Sequence, residues 1–219
     1  MFTGIIKDVG KVVSLNRRGR VFDLTIRSKL ISPLVDVDDS VSVNGCCQTV
    51  VDVSKNQFVV NVVQSTIEKS NLGLLKVHSD CNLELALNIN DRIDGHLVQG
   101  HVNCVGSVKK IVKLDDSYSV EIEYKDKKHR RLLVNEGSIA IDGVSVTIDK
   151  VSDDTLSFCA SIIPHTWKNT TFKNYYVGSK VNLEFDIFAQ YVNRILSLRN
   201  YEEKMEKNIF KFIKDKDIT

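Results

Sequence analysis

Hydrophobic and polar residues alternate with a period of two along most of the chain, up to about residue 187. In the first half this pattern predicts strands in GKVVSL, VFDLTI, SVSVNG, QFVVNVV and CNLELAL. In the second half it predicts them in GSVKKIV, YSVEIEY, SIAIDG, LSFCASII and KVNLEFDI. Short strands at even spacing, without long helical stretches between them, favour an all-β barrel or sandwich over a βαβ fold.

The two sets of strands follow the same order, which indicates an internal duplication. SVSVNGCCQTV at residues 40–50 aligns with SIAIDGVSVTI at residues 138–148, so that Asn44 corresponds to Asp142. Asn-Gly and Asp-Gly between two strands predict hairpins with a tight turn, because these residues tolerate positive φ. The geometry of the turns therefore accounts for the glycines of both motifs without any chemical role.

The hydrophobic pattern changes from a strand period to a helical period at residue 187. Apolar residues then recur three or four positions apart, on one face of a helix, at 187, 188, 191, 192, 195 and 198. Such a stripe either packs back on the chain's own β units or bundles with copies of itself, and we favour self-association. The predicted division is an N-terminal β unit, a C-terminal β unit, and an oligomerisation helix with its tail, at 1–95, 96–188 and 189–219.

Composition narrows the class of protein and of partner. The 219 residues are 42% hydrophobic and 26% charged, with a net charge of +2, which predicts neither a nucleic-acid partner nor a membrane surface. No stretch approaches the roughly 20 apolar residues of a membrane span, and no secretory signal is recognisable. Five cysteines without CxxC spacing predict reduced thiols in a cytoplasmic protein. The one basic run, KDKKHRR at 125–131, is better explained by a solvated loop than by an oligonucleotide-binding barrel.

Positions at which the two repeats differ are candidates for chemistry, since duplicated scaffolding needs no asymmetry. Three such differences are His101 against Ile5, Asp186 against Ala86, and Ser145 against Cys47. Two of them have plain structural alternatives: Asp186 would also suit a helix cap, and Cys47 a small buried apolar residue. His96 and His101, five apart on a strand, would face opposite sides, so no metal site is predicted.

The segments MFTGI, SVSVNGCCQTV, GHLVQGHVN, GSIAIDGVSVTI and IIPHT together resemble the riboflavin synthases, in unbroken order from Met1 to about Asp186. The resemblance implies an all-β chain with two similar six-stranded Greek-key barrels in tandem, followed by a C-terminal helix. It also implies a homotrimer in which these helices bundle together, and association with lumazine synthase as a further contact.

The implied reaction is the last step of riboflavin biosynthesis. Two molecules of 6,7-dimethyl-8-ribityllumazine react by four-carbon transfer to give riboflavin and 5-amino-6-(ribitylamino)uracil, without a metal or organic cofactor. One substrate is expected in each barrel, with the N-terminal barrel of one chain facing the C-terminal barrel of the next. Orienting two reactants in this way can contribute roughly 7–11 kcal/mol.

Site residues carried over from the resemblance fall into two sets. The N-terminal pocket is predicted to be lined by Ser40, Cys47, Gln48, Thr49, Asn61, Val62, Val63, Gln64, Ser65, Thr66, Gly100, His101 and Val102. The C-terminal pocket is predicted to be lined by Ser145, Val146, Thr147, Ser161, Ile162, Ile163, Pro164, His165 and Thr166, with Gly4, Ile5 and Ile6. Within these sets the hydroxyl groups of Ser40, Thr66 and Thr166 are expected to bind the ribityl chain.

The chemistry requires a proton to leave the 7-methyl group of the acceptor and a nucleophile to add at C7 of the donor. His101 is the first candidate for proton transfer, because its ordinary pKa of about 6.5 suits this work near neutrality. Ser145, Thr147 and Asp186 are expected to position a water or hydroxyl nucleophile. Cys47 is expected to assist binding or proton traffic, with covalent catalysis as the less favoured alternative.

Two residues depart from the family's pattern. Glu136 stands where the family commonly has a lysine that reaches the neighbouring chain's pocket, and Gln48 replaces an apolar residue, which we expect to be tolerated. The rival class is a non-enzymatic lumazine- or flavin-binding protein, like the bioluminescence antennae built on the same repeat. The presence of Cys47, His101, Ser145 and Thr147 favours the enzyme.

Overall fold

Two closed six-stranded barrels follow each other along the chain in the computed structural model, which describes residues 1–19, 21–199 and 201. The strands of the first barrel are β1 (Asp8–Arg18), β2 (Val21–Arg27), β3 (Ser40–Val43), β4 (Cys46–Ser54), β5 (Gln57–Val63) and β6 (Asp80–Leu85). Those of the second are β7 (Cys104–Lys113), β8 (Tyr118–Glu123), β9 (Ser138–Ile141), β10 (Val144–Ser152), β11 (Ser157–Ile162) and β12 (Lys180–Phe185).

Both barrels have the same antiparallel strand order. The first runs β1-β2-β5-β4-β3-β6, and the second closes in the equivalent order, β7-β8-β11-β10-β9-β12. Each has its own apolar core, with Phe58 fully buried in the first and Phe158 in the second. The predicted fold class of two tandem six-stranded barrels is confirmed, and every strand predicted from the alternating pattern overlaps a strand of the structure.

Both predicted hairpin turns are confirmed by their backbone angles. Asn44 and Gly45 have φ of +46° and +76°, and Asp142 and Gly143 have +45° and +80°. The two turns also touch, because a Cβ on Gly45 would lie 2.6 Å from the backbone nitrogen of Gly143. Glycine is therefore needed here both for positive φ and for the close approach of the barrels.

A buried polar network joins the barrels around the Asp142 carboxyl group. It accepts hydrogen bonds from Asn71 Nδ2 at 2.8 Å, the Asn182 N–H at 2.7 Å and the Tyr175 hydroxyl at 2.6 Å. Asn182 Nδ2 in turn donates to the carbonyl of Asn44 at 2.7 Å. Burial raises the pKa of Asp142 from 3.8 to about 7. The barrel interface thus depends on a carboxyl group that is mostly protonated below neutrality.

Short helices connect the strands, and a longer helix follows the second barrel. They are α1 (Gln64–Lys69), α2 (Pro164–Asn169) and α3, which spans 187–199, with residue 201 also helical. Single helical turns lie at Ser32–Leu34, Asn71–Leu74, Lys127–Leu132 and Thr171–Asn174. Among the described helices, none has the length and hydropathy needed to cross a bilayer.

Helix α3 turns its polar residues towards the barrel and its apolar residues outward. Gln190 Nε2 donates to the Phe185 carbonyl at 2.9 Å, whereas Phe188, Tyr191 and Ile195 are more than 60% exposed. Within a single chain the apolar stripe therefore does not pack on its own barrels, and self-association stays the prediction. The predicted tail from residue 202 to 219 lies outside the described residues.

Candidate functional site between the repeats and the linker

A cavity of about 240 Å³ lies at the start of β4, where the linker between the barrels passes over it. Its lining consists of Cys46, Cys47, Gln48, Ser65, Thr66, Lys69, Ser70, Gly100, His101 and Val102. Gly100 has φ of +81°, and its carbonyl accepts a hydrogen bond from the Cys47 N–H at 2.9 Å. Because a Cβ on Gly100 would lie 2.5 Å from the Cys47 Cβ, only glycine allows the linker to cross here.

The second barrel has the same arrangement around Ser145. The Ser145 N–H donates to the Gly4 carbonyl at 2.8 Å, Gly4 has φ of +79°, and a Cβ on it would lie 2.6 Å from the Ser145 Cβ. The segments that carry Gly4 and Gly100 pair through two hydrogen bonds between Phe2 and Val98, at 2.7 and 3.1 Å. The structure therefore contains two related half-sites, which we name after Cys47 and Ser145.

Two buried carboxylates hold these glycine segments in place. Glu84 accepts hydrogen bonds from the backbone N–H groups of Thr3 and Gly4, at 2.7 and 3.0 Å. Glu184 accepts them from three successive N–H groups at residues 99–101, at 2.6, 2.9 and 2.8 Å. Burial raises the pKa of both glutamates, and the amide donors oppose that shift. Sequence reasoning missed them, although a glutamate at the same position in NLELA and NLEFD was a usable signal.

His96 contacts Ser145 through its imidazole ring. Its Nδ1 lies 2.7 Å from the Ser145 Oγ, and its side chain is buried. Burial lowers the pKa of His96, while the charge of Asp186 acts in the opposite direction. The expectation that His96 and His101 share a strand is wrong, because both lie in the irregular linker, where the positive φ of Gly100 interrupts any extended run.

Comparison with known proteins places the chain among its relatives. The model of the lumazine binding domain matches residues 3–86 and 99–186. The riboflavin synthase of Bacillus subtilis (strain 168) is 39% identical over 96% of both chains, and that of Actinobacillus pleuropneumoniae 38% identical over 98% of both. The chain belongs to the riboflavin synthase family. This confirms the family expected from the motifs.

A solved structure shares the fold of this family member. LumP in complex with 6,7-dimethyl-8-(1'-D-ribityl) lumazine matches with a TM-score of 0.75 at 25% identity, over 84% of this chain and 98% of that chain. Both barrels are needed to reach such coverage, since each family repeat spans fewer than half of the residues.

The structure brings part of the predicted N-terminal set to the Cys47 half-site. Gln48, Ser65 and Thr66 line the cavity with His101, as described above. The other predicted residues lie outside that lining. Ser40 pairs with the exposed Thr49 between β3 and β4, and Gln64 begins α1. On β5, Val62 is buried in the barrel core, Val63 points outward, and Asn61 lines a separate surface depression. Lys69, which sequence reasoning did not select, adds a cation to the cavity.

The predicted C-terminal set divides into buried and outward-facing side chains. Val146 and Ile162 are buried in the barrel core, so only their backbone can meet a ligand. The side chains that lie outward or half-buried are Thr147, Ser161, Ile163, Pro164, His165, Thr166, Ile5 and Ile6. Glu136 is exposed in a turn with φ of +63°. These assignments, like those of the first half-site, stay predictions.

Asp186 makes a structural hydrogen bond that is separate from its predicted catalytic role. Its Oδ1 accepts a hydrogen bond from the Phe188 N–H at 2.7 Å, at the beginning of α3. The helix-capping alternative is therefore observed, and the catalytic role stays a prediction. Across the described residues, no cluster of three or more His, Cys, Asp or Glu side chains is arranged to hold a metal ion.

Proposed function

We infer that this protein is a riboflavin synthase, which converts two molecules of 6,7-dimethyl-8-ribityllumazine into riboflavin and 5-amino-6-(ribitylamino)uracil by four-carbon transfer. The observation that carries this function is the repetition of one half-site, with Gly4 over Ser145 and Gly100 over Cys47, in a chain of this family. A reaction between two copies of one molecule is served by two copies of one pocket, because both reactants are then oriented by the same contacts.

The Cys47 half-site has the chemical character that a pteridine needs. Its lining combines the polar residues Ser65, Thr66 and His101 with Cys47 and Val102. Polar groups that fix the orientation of a ligand beside apolar surface are typical of small-molecule sites. In this proposal the ring lies against Cys47 and the ribityl hydroxyls reach towards Thr66 and Ser40.

The differences between the half-sites assign the two lumazines different roles. His101 removes the proton from the 7-methyl group of the acceptor, since its side chain is exposed at the rim of the Cys47 cavity. Ser145, Thr147 and Asp186 together position a water or hydroxyl nucleophile at C7 of the donor. Cys47 contributes to binding, with covalent catalysis as the alternative.

The working assembly in this proposal is a homotrimer built through α3. The apolar stripe containing Phe188, Tyr191 and Ile195 is exposed in one chain, while polar Gln190 faces the barrel, which supports burial of the stripe against copies of itself. The N-terminal barrel of one chain then faces the C-terminal barrel of the next, close to the exposed Glu136. A cytoplasmic location and association with lumazine synthase belong to the same proposal.

Incubating the purified chain with 6,7-dimethyl-8-ribityllumazine tests the function directly. We expect riboflavin absorbance and fluorescence to appear, with two lumazines consumed for each riboflavin formed. LumP, which shares the fold and is complexed with this ligand in its crystal structure, supports the rival function of lumazine binding without chemistry. Lumazine fluorescence that persists indefinitely, without riboflavin, would favour the rival.

A further inference from the structure

Ser145 and His96 form a buried hydroxyl–imidazole pair at the second half-site. Nδ1 of His96 lies 2.7 Å from Oγ of Ser145, and only 9% of His96 is exposed. The backbone N–H of His96 also donates a hydrogen bond to the Thr3 carbonyl, at 3.1 Å. Gly95 permits this approach, because a Cβ there would lie 2.2 Å from the Thr3 carbonyl oxygen and 2.8 Å from the Ser145 Cβ. The imidazole is therefore fixed against the hydroxyl group by its own backbone.

The surroundings favour a neutral ring that can take up a proton. Burial lowers the pKa of His96, and Asp186 at the end of β12 is the charged group that acts on it in the opposite sense. Glu84 of β6 accepts hydrogen bonds from the backbone N–H groups of Thr3 and Gly4, and Thr3 is the residue whose carbonyl binds the His96 backbone. The Nε2 atom of His96 is buried and, in the part of the chain that the structure describes, has no hydrogen-bond partner. Buried polar groups without a partner are uncommon in proteins, although five other side-chain atoms in the described residues also lack one.

The pair belongs to one half-site and has no equivalent in the other. His96 lies in the linker, outside both matched repeats at 3–86 and 99–186, so the duplication did not produce it. In the other half-site, no hydrogen bond to the Cys47 Sγ is found among the described residues. A difference of this kind is what a reaction between two identical molecules requires, since one must act as donor and the other as acceptor.

We propose that His96 is a positioning residue that accepts the hydroxyl proton of Ser145, and that the Ser145 half-site thereby holds the four-carbon donor. This inference rests on the proposed function. A bond forms between Ser145 Oγ and C7 of the lumazine, and the displaced electron pair enters the conjugated pteridine ring. The hydroxyl proton moves to Nδ1 of His96, and the charge of Asp186 stabilises the resulting imidazolium. When the C7–O bond breaks, the proton returns to Oγ.

The test compares the pH dependence of riboflavin formation in four proteins: wild type, His96→Asn, Ser145→Ala and the double variant. Asparagine places a polar group near the position of Nδ1 but cannot take up the proton. We expect His96→Asn to lower kcat about 100-fold, with KM changed less than about threefold, and to remove one ionisation from the acid limb of kcat/KM, while the proton transfer assigned to His101 still contributes to that limb. Loss of the hydroxyl group in Ser145→Ala should remove the same ionisation, and the double variant should be no slower than the slower single variant.

A matched control removes a histidine elsewhere. His78 is exposed and has φ of +72°, which asparagine tolerates, so His78→Asn should keep the wild-type pH profile. A purely structural role for His96 would change stability or KM and leave the shape of the acid limb of kcat/KM as in the wild type, and that result would overturn the proposal. Additive losses in the double variant would also overturn it.

Two further outcomes distinguish a failure of the His96 role from a failure of the proposed function. If His96→Asn does not fold, the profile of Ser145→Ala decides alone, because an acid limb of kcat/KM identical to that of the wild type excludes the proton transfer from Ser145 to His96. If the wild-type chain binds lumazine but forms no riboflavin, the proposed function fails, whereas turnover with an unchanged profile in His96→Asn contradicts only the role of His96.

Discussion

Replacing the Asp142 carboxyl group by an amide should remove a pH-dependent loss of folding stability that arises at the interface between the barrels. Burial raises the pKa of Asp142 from 3.8 to about 7, although Tyr175, Asn182 and Asn71 donate hydrogen bonds to it. The folded protein therefore keeps this proton up to about pH 7, while the unfolded chain loses it above about pH 4. In that window the unfolded state binds fewer protons, so the free energy of unfolding falls as pH rises.

The size of this effect follows from the width of the window. It spans about three pH units at roughly 1.4 kcal/mol each, or about 4 kcal/mol in total. The stabilising contribution is complete below about pH 4 and is lost by about pH 7. An asparagine side chain at this position could keep every contact, since its oxygen can accept from Asn71 and Asn182 while its amide donates to the Tyr175 hydroxyl. Asn44 already occupies the equivalent position in the first repeat.

Urea unfolding of wild type and Asp142→Asn, followed by circular dichroism between pH 4.5 and 8, measures this difference. Protein concentration must be held constant, because the proposed oligomer makes stability depend on it. We expect similar stability at pH 4.5 and an advantage of about 2–4 kcal/mol for Asp142→Asn at pH 8. Asp116→Asn, at an exposed loop position, should keep the wild-type slope. Parallel profiles for wild type and Asp142→Asn would refute the reasoning.

Three further changes test the site, the assembly and the barrel contact. His101→Gln should lower turnover about 100-fold while lumazine affinity, measured by fluorescence titration, changes little; a variant with full turnover would remove His101 from the mechanism. Truncation after residue 188 should reduce the oligomer in analytical ultracentrifugation, and an unchanged sedimentation coefficient would contradict assembly through α3. Gly143→Ala, at φ of +80° with a Cβ 2.8 Å from the Gly45 nitrogen, should lower the free energy of unfolding by about 2 kcal/mol or more. Wild-type thermal stability in this variant would contradict the close contact.

Local pattern predicted the strands well because each barrel strand buries one face. The alternation in QFVVNVV, for example, places Phe58, Val60 and Val62 in the core and Asn61 outside. The hairpin turns were predictable for the same local reason, since Asn-Gly and Asp-Gly carry their positive φ in the residues themselves. The duplication was visible because both copies keep these local requirements.

The contacts of the half-sites were less predictable because they join residues that are far apart along the chain. Glu84 binds the backbone near Gly4, and His96 meets Ser145, at separations that periodicity does not encode. Interpreting His96 as part of a strand was wrong because the linker has few local signals other than its glycines. Asn61 likewise lines a depression separate from the Cys47 cavity, which its position in the strand pattern does not reveal.

The amino-acid sequence by itself determined the two β units, their tight turns, the amphipathic helix and the family, since each of these depends on spacing along the chain. Only the tertiary structure decided which polar groups share a buried environment: the imidazole with the Ser145 hydroxyl, and the Asp142 carboxyl with its three donors. The physical reason is that hydrogen bonding and desolvation depend on distances in space. These distances are set only when the barrels close and the linker crosses between them.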